Sequence, residues 1–200
     1  MSASMVARRP CRRWRTGLHE CRRQSGRARG ERCVVMTTLS APHRTLWDLI
    51  KEVRLGMMTH RHPDGTLHAH PLTTQNRSLD EGVLYFFVAR ATELGQRITL
   101  DGDVNVTYCD PHKGHYVSVT GLARLHHDLA LRERLFNAMS RAWFPGGPTD
   151  PNLDLVAVQI VYAEYWHITE SKVTQLFKLA TAAVTGQPPR IGEHQAVHFS

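Results

Sequence analysis

Residues 104–125, VNVTYCDPHKGHYVSVTGLARL, decide the fold. Val104, Val106 and Tyr108 alternate with Asn105, Thr107 and Cys109, and Pro111-His112-Lys113-Gly114 then supplies a turn. From Tyr116 to Leu125 a second run sets Val117, Val119, Gly121, Ala123 and Leu125 on one face. Period-two alternation on both sides of a tight turn predicts an antiparallel strand pair with one buried face.

Outward from this pair the same pattern recurs. Val83 to Val88 is apolar at every position, as expected of a strand covered on both faces. Earlier, Leu55–His62 and Thr66–Thr73 flank Pro63-Asp64-Gly65, and Asp-Gly is a strong hairpin signal. Leu153–Trp166 reads as the sixth strand. Helices occupy the periphery. Ser40 and Pro42 open one over about residues 42–53, with Leu46, Ile50 and Val53 at helical spacing. Thr92 caps a short helix carrying Leu94 and Ile98, and Asp128 opens one carrying Leu131, Leu135 and Met139. A last helix runs through Val173, Leu176, Phe177, Ala180 and Val184 to Gly186. The fold class expected is mainly β with peripheral helices, a six-stranded antiparallel split β-barrel.

Composition agrees. The chain has 200 residues, 42% apolar and 22% charged, which suits one globular domain and excludes a collagenous or disulfide-framework protein. Its formal charge of +7 is unevenly placed. Residues 1–35 hold ten Arg against Glu20 and Glu31, whereas the remainder is almost neutral. The leader lacks apolar periodicity and is expected to be disordered, with Met36 as the expected true start and 36–200 as the folded domain. Ten guanidinium groups would bind nucleic acid through phosphates, but only if the leader is part of the native protein. Three of the four Cys lie in that leader, leaving Cys109 alone in the domain, so a reducing cytoplasm is expected. No run of eighteen apolar residues occurs, so no membrane association is expected.

Dinucleotide-binding, P-loop, hydrolase-elbow and zinc-helix motifs are all missing. Histidines stand out instead, thirteen in all, with His60-Arg61-His62 and His68-Ala69-His70 on the two arms of the first hairpin. A two-residue Asp64-Gly65 turn pairs His60 with Ala69 and Arg61 with His68, which sends the two His pairs to opposite faces. A three-residue loop pairing His62 with His68 and His60 with His70 would gather all four. Asp-Gly favours the first register, so no metal site is expected. His126-His127, His194 and His198 read as surface or loop residues.

The order of segments resembles the pyridoxamine 5'-phosphate oxidase-like FMN-binding split barrels, general stress protein branch. The resemblance rests on Asp64-Gly65, His68-Ala69-His70-Pro71-Leu72, Gly82–Phe87, Val104–Tyr108, Tyr116–Ala123, Trp143-Phe144-Pro145-Gly146-Gly147, Ala163-Glu164-Tyr165-Trp166 and Thr185–His194. It covers about residues 44–198. It implies a homodimer with two FMN molecules in clefts between subunits. The flavin contacts it implies fall on His70, Pro71 and Leu72, on Phe86, Phe87 and Val88, and, for the phosphate, on the stretch from Thr92 to Arg97. Tyr116 would come from the partner subunit, and Trp166 would lie near the ring. The chain departs from the family where charge matters: His70 stands for Arg, Leu94 for the Lys of a Ser-x-Lys phosphate loop, and His167 for Asp. One such ion pair is worth roughly 1–3 kcal/mol. Wall residues such as Phe86 and Phe87 also suit ordinary barrel core, and Trp143-Phe144 suits closure of a barrel end.

The function expected is therefore FMN binding with flavin-dependent oxidoreductase activity on an unidentified small molecule. The alternative is a non-catalytic flavin- or small-ligand-binding stress protein with a weakened phosphate site. No catalytic residue stands out, although His70, near the implied flavin, is placed to donate a proton or to meet a phosphate. Oxidation of pyridoxamine phosphate itself is not expected, because that enzyme's C-terminal Arg-x-His-Arg-type motif is missing.

Overall fold

A computed structural model describes residues 40–168, 172–186 and 192–199; the Arg-rich leader lies outside the described residues. Seven strands form one antiparallel sheet: β1 (Leu55–Arg61), β2 (Leu67–Thr73), β3 (Val83–Ala89), β4 (Asp103–Asp110), β5 (His115–Leu125), β6 (Leu153–His167) and β7 (Glu193–His198). Their order is β2-β1-β4-β5-β6-β3, with β7 also on β6. The sheet curls until its two ends approach, where Thr74 bridges to Phe86 and the Gln75 amide donates to the Tyr85 carbonyl at 2.9 Å. This is a split barrel.

The core follows from alternation. Met58, Val104, Val106, Tyr108, Val117, Val119, Leu84, Phe86, Val156, Val158 and Ile160 point inward, each under 5% exposed. Helix α1 (Ala41–Val53) buries Leu46, Leu49 and Ile50 against the same cluster. A β-bulge at Thr120/Gly121 leaves Val161 of β6 without a partner, as Thr120 faces Tyr162 and Gly121 faces Ile160. The extra residue flips the alternation, so that Ile160 and Ala163 both face inward.

Helix α2 (Glu93–Ile98) starts at Thr92, whose hydroxyl accepts from the Gly95 amide at 3.2 Å. A Cβ at Gly95 would lie 2.6 Å from the Ala89 carbonyl, so a side chain there would push the helix off the strand it follows. The expected single helix after Asp128 is two. α3 (Leu129–Leu135) ends before Phe136, and Asn137 caps α4 (Ala138–Trp143) by accepting from the Met139 and Ser140 amides. An Asn that bonds the backbone locally favours a helix start over a helix interior. These helices cover a second cluster of Phe87, Leu131, Leu135, Phe144, Leu153 and Leu155. Phe144 closes that end as expected, while Trp143 is 79% exposed. The C-terminal helix α5 (Lys172–Thr185) forms as the sequence suggests. Strand β7 is the element the sequence reading lacks: in EHQAVH only Val197 is buried, too little alternation to announce a strand.

Candidate functional site

The hairpin of β1 and β2 corrects the expected register. His60 faces His68, Met58 faces His70, and Arg61 faces Leu67. His62 donates to the Thr66 carbonyl at 2.9 Å, and the Gly65 amide donates to the His62 carbonyl at 2.9 Å. The loop is thus Pro63-Asp64-Gly65, with Gly65 at φ +90°. Pro63 sits at the second position of a type I turn, where its ring already fixes φ, and glycine takes the left-handed residue that follows. The expected two-residue turn would have placed Pro63 in a strand, where it has no amide to donate. Asp64 locks the loop by accepting from the Thr66 amide at 2.8 Å and its hydroxyl at 2.6 Å. Those bonds, with His62 beside them, hold its carboxyl far below the usual range.

With this register, His60, His62, His68 and His70 share one face, contrary to the expected split. They line the inner side of the sheet at one end of the barrel. His60 Nε2 lies 3.1 Å from His70 Nε2, and their rings stack at 5.2 Å. His62 stacks on His68 at 4.4 Å. Glu93, the first residue of α2, enters from above: its Oε1 is 2.8 Å from His68 Nδ1 and 3.6 Å from His60 Nε2. His60 is 2% exposed. Burial lowers its pKa, and the neighbouring rings of His70 and His68 add to this against the pull of the Arg61 backbone and Glu93. Desolvation raises Glu93, but the His68 bond and the charges of His68, His62 and His60 outweigh it and leave the carboxyl below its ordinary value.

Other residues expected at a flavin are distributed as follows. His70 and Leu72 face the barrel side of β2, whereas Pro71 faces outward and is exposed. Phe86 and Val88 point into the main core and Phe87 into the second cluster. Any contact these three make with a ligand is therefore mainly through the backbone. Thr92 spends its hydroxyl on the Ala89 carbonyl and the Gly95 amide. Arg97 Nε donates to the Arg61 carbonyl at 3.3 Å. Arg90 forms a two-pronged bond to Asp154, which is 4% exposed. Leu94 is 2% exposed and belongs to the core.

Tyr116 and Trp166 form a separate group on the outer face of the sheet. They are paired across β5 and β6 and are 38% and 39% exposed. Trp166 stacks on His194 of β7 at 5.0 Å and 13°. With Ile168 and Gly192 they line a cleft of about 350 Å³. The sequence alone puts His194 on the surface; its ring contact depends on β7, which the weak alternation of EHQAVH does not announce.

The family described as "Pyridoxamine 5'-phosphate oxidase like" matches residues 41–190. The chain belongs to this family. Among solved structures, a general stress protein 26 candidate from Jannaschia sp. CCS1 superimposes with a TM-score of 0.63 at 24% identity, over 78% of this chain and 97% of that one. The general stress FMN/FAD binding protein of Xanthomonas citri gives 0.57 at 29% identity, over 65% and 90%. Protein bli-3 of Neurospora crassa is 29% identical over 112 residues, 51% of this chain and 54% of that protein. The chain thus spans about half the length of this curated relative.

Membership brings the fold, and the residues present decide how well a flavin suits it. At the Tyr116–Trp166 cleft two aromatic side chains border a largely apolar space, which suits a planar ring system. The stretch from Thr92 to Arg97, a separate place in the protomer, is different. Where the resemblance implies a phosphate, this chain offers the Glu93 carboxylate, a capping hydroxyl already in use, a core leucine and a single cation, Arg97, whose Nε bonds the Arg61 carbonyl. That donor set does not fit a phosphate dianion. Among the described residues no helix is long and apolar enough to cross a membrane.

Proposed function

We propose that this protein is a homodimeric flavin-binding member of the general stress protein branch, which holds the flavin by its ring. The observation that carries the reading is the half-exposed Tyr116–Trp166 pair, with Trp166 held flat against His194. Large aromatics elsewhere on the sheet, such as Tyr108 and Phe86, are buried, so this pair awaits a cover. The FMN/FAD-binding character of the Xanthomonas citri relative supports a flavin as that cover. A second copy of the chain supplies the remaining wall. Bound flavin supplies hydride or electron transfer; the chain orients the ring and keeps water from it. Cys109, exposed and free, suits a reducing cytoplasm.

The second reading, a flavin-binding protein without turnover, is favoured by the mismatch at the phosphate end. One titration addresses ligand binding. Fluorescence quenching with FMN and with riboflavin is expected to give Kd values within about tenfold of each other, because little phosphate recognition remains. Trp166→Ala is expected to weaken both at least tenfold. Failure of either flavin to bind, with light scattering showing a monomer, overturns the proposal. Bleaching of the flavin-loaded protein by NADH or NADPH separates the oxidoreductase from the passive binder.

A further inference from the structure

We propose that His60, His70 and Glu93 form a binding site for one divalent transition-metal ion of the zinc class. Their ligand atoms lie within 4.8 Å of one another. The His60 Nε2–His70 Nε2 separation is 3.1 Å and the His60 Nε2–Glu93 Oε1 separation is 3.6 Å. Ligands of a tetrahedral zinc ion at ordinary bond lengths stand about 3.3 Å apart, so both edges need only small adjustment.

Two imidazoles and one carboxylate are a donor set that such ions prefer over Mg²⁺ or Ca²⁺, which take oxygen ligands. The ligands come from three elements and are held by different means. His60 and His70 are fixed by the hydrogen-bonded register of β1 and β2. Glu93 is fixed by the Thr92 cap at the start of α2. His68 Nδ1 bonds the same Glu93 oxygen at 2.8 Å and so orients the carboxylate from outside, as supporting groups do at metal sites. Beside them in the sheet are the apolar Met58, opposite His70, and Val104, opposite His60. Above, the side chains of His68 and Glu93 are 37% and 39% exposed, which leaves an entry path.

An ordinary imidazole–imidazole hydrogen bond would account for His60 and His70 alone. It does not account for a carboxylate oxygen from another element that, while bonded to His68, also stands 3.6 Å from His60 Nε2. Three protein ligands also leave the fourth position of a tetrahedral ion open, so the site takes an exchangeable water or an anionic group.

Untagged full-length protein, stripped with a chelator, tests this by titration with Co²⁺ followed by Zn²⁺. The expected result is one Co²⁺ per chain with the intense visible bands of a four- or five-coordinate site, displaced by one equivalent of Zn²⁺. His70→Gln and Glu93→Gln are each expected to weaken binding at least tenfold, with circular dichroism unchanged; both side chains are partly exposed and tolerate replacement. His127→Gln is expected to behave as the parent. Equal binding by parent, His70→Gln and Glu93→Gln overturns the proposal, as does the absence of those bands. Loss on His68→Gln without loss on His70→Gln overturns the ligand assignment. No flavin is present in the titration, so its failure leaves the ring-binding reading untouched.

Discussion

Tyr108 crosses the barrel interior to Thr74, hydroxyl to hydroxyl at 2.7 Å, with both residues at 1% exposure. Removing one partner leaves a buried hydroxyl without a bond, which costs about 1–3 kcal/mol. Urea unfolding of Tyr108→Phe is expected to show a loss of that size. Burial raises the Tyr108 pKa above its ordinary 10.0, with the Thr74 bond opposing. The folded state therefore favours the neutral phenol: this contribution is complete below pH about 10 and declines as pH rises further. Tyr108→Phe should flatten that alkaline decline, which a pH series of thermal midpoints would register. Individual side chains were unevenly legible. Phe86 and Val88 look alike to any reader of ligand walls, and only the curl of the sheet turns them inward. Glu93 falls within the stretch expected to hold a phosphate, and nothing local to α2 reveals the imidazoles across from it.

Elements were read well where one face is buried and less well where local side-chain bonding competes. All six expected strands and the first and last helices appear, because their apolar periods have little alternative. The run from Leu131 to Met139 keeps a helical period, yet Asn137 interrupts it, since its side chain satisfies two free amides of the next helix. It also donates to Gln75 Oε1 at 3.0 Å, joining α4 to the connection between β2 and β3. Asn137→Ala is expected to lose about 0.5–2 kcal/mol by denaturant unfolding. Asn137→Asp retains the cap but not the donor to Gln75, and should fall between. The β1–β2 hairpin shows the same lesson at a turn. Asp-Gly is a strong signal for two-residue loops, but Pro63 in front of it selects the longer one, and that choice decides the side on which four histidines stand.

At the scale of the whole molecule, the antiparallel split-barrel class was legible because a sheet with one apolar face and helices at its margins has few ways to bury itself. Flavin binding was legible through the resemblance; the lining of the Tyr116–Trp166 cleft was not, because it needs residues from three strands, and the histidine face was not, because it needs a register. The length of β6 has one more consequence. Its 15 residues give a single edge to two partners, β3 along Leu153–Gln159 and β7 along Tyr162–His167. A chain shortened to end at Gly186 would keep the barrel's first six strands and bare the second half of that edge. Six residues of unpaired backbone beside Trp166 are a template for strand addition by another molecule. Such a truncation is expected to cause growing aggregates, visible as rising light scattering with concentration, while the short C-terminal strand, added in trans as a peptide, should suppress it.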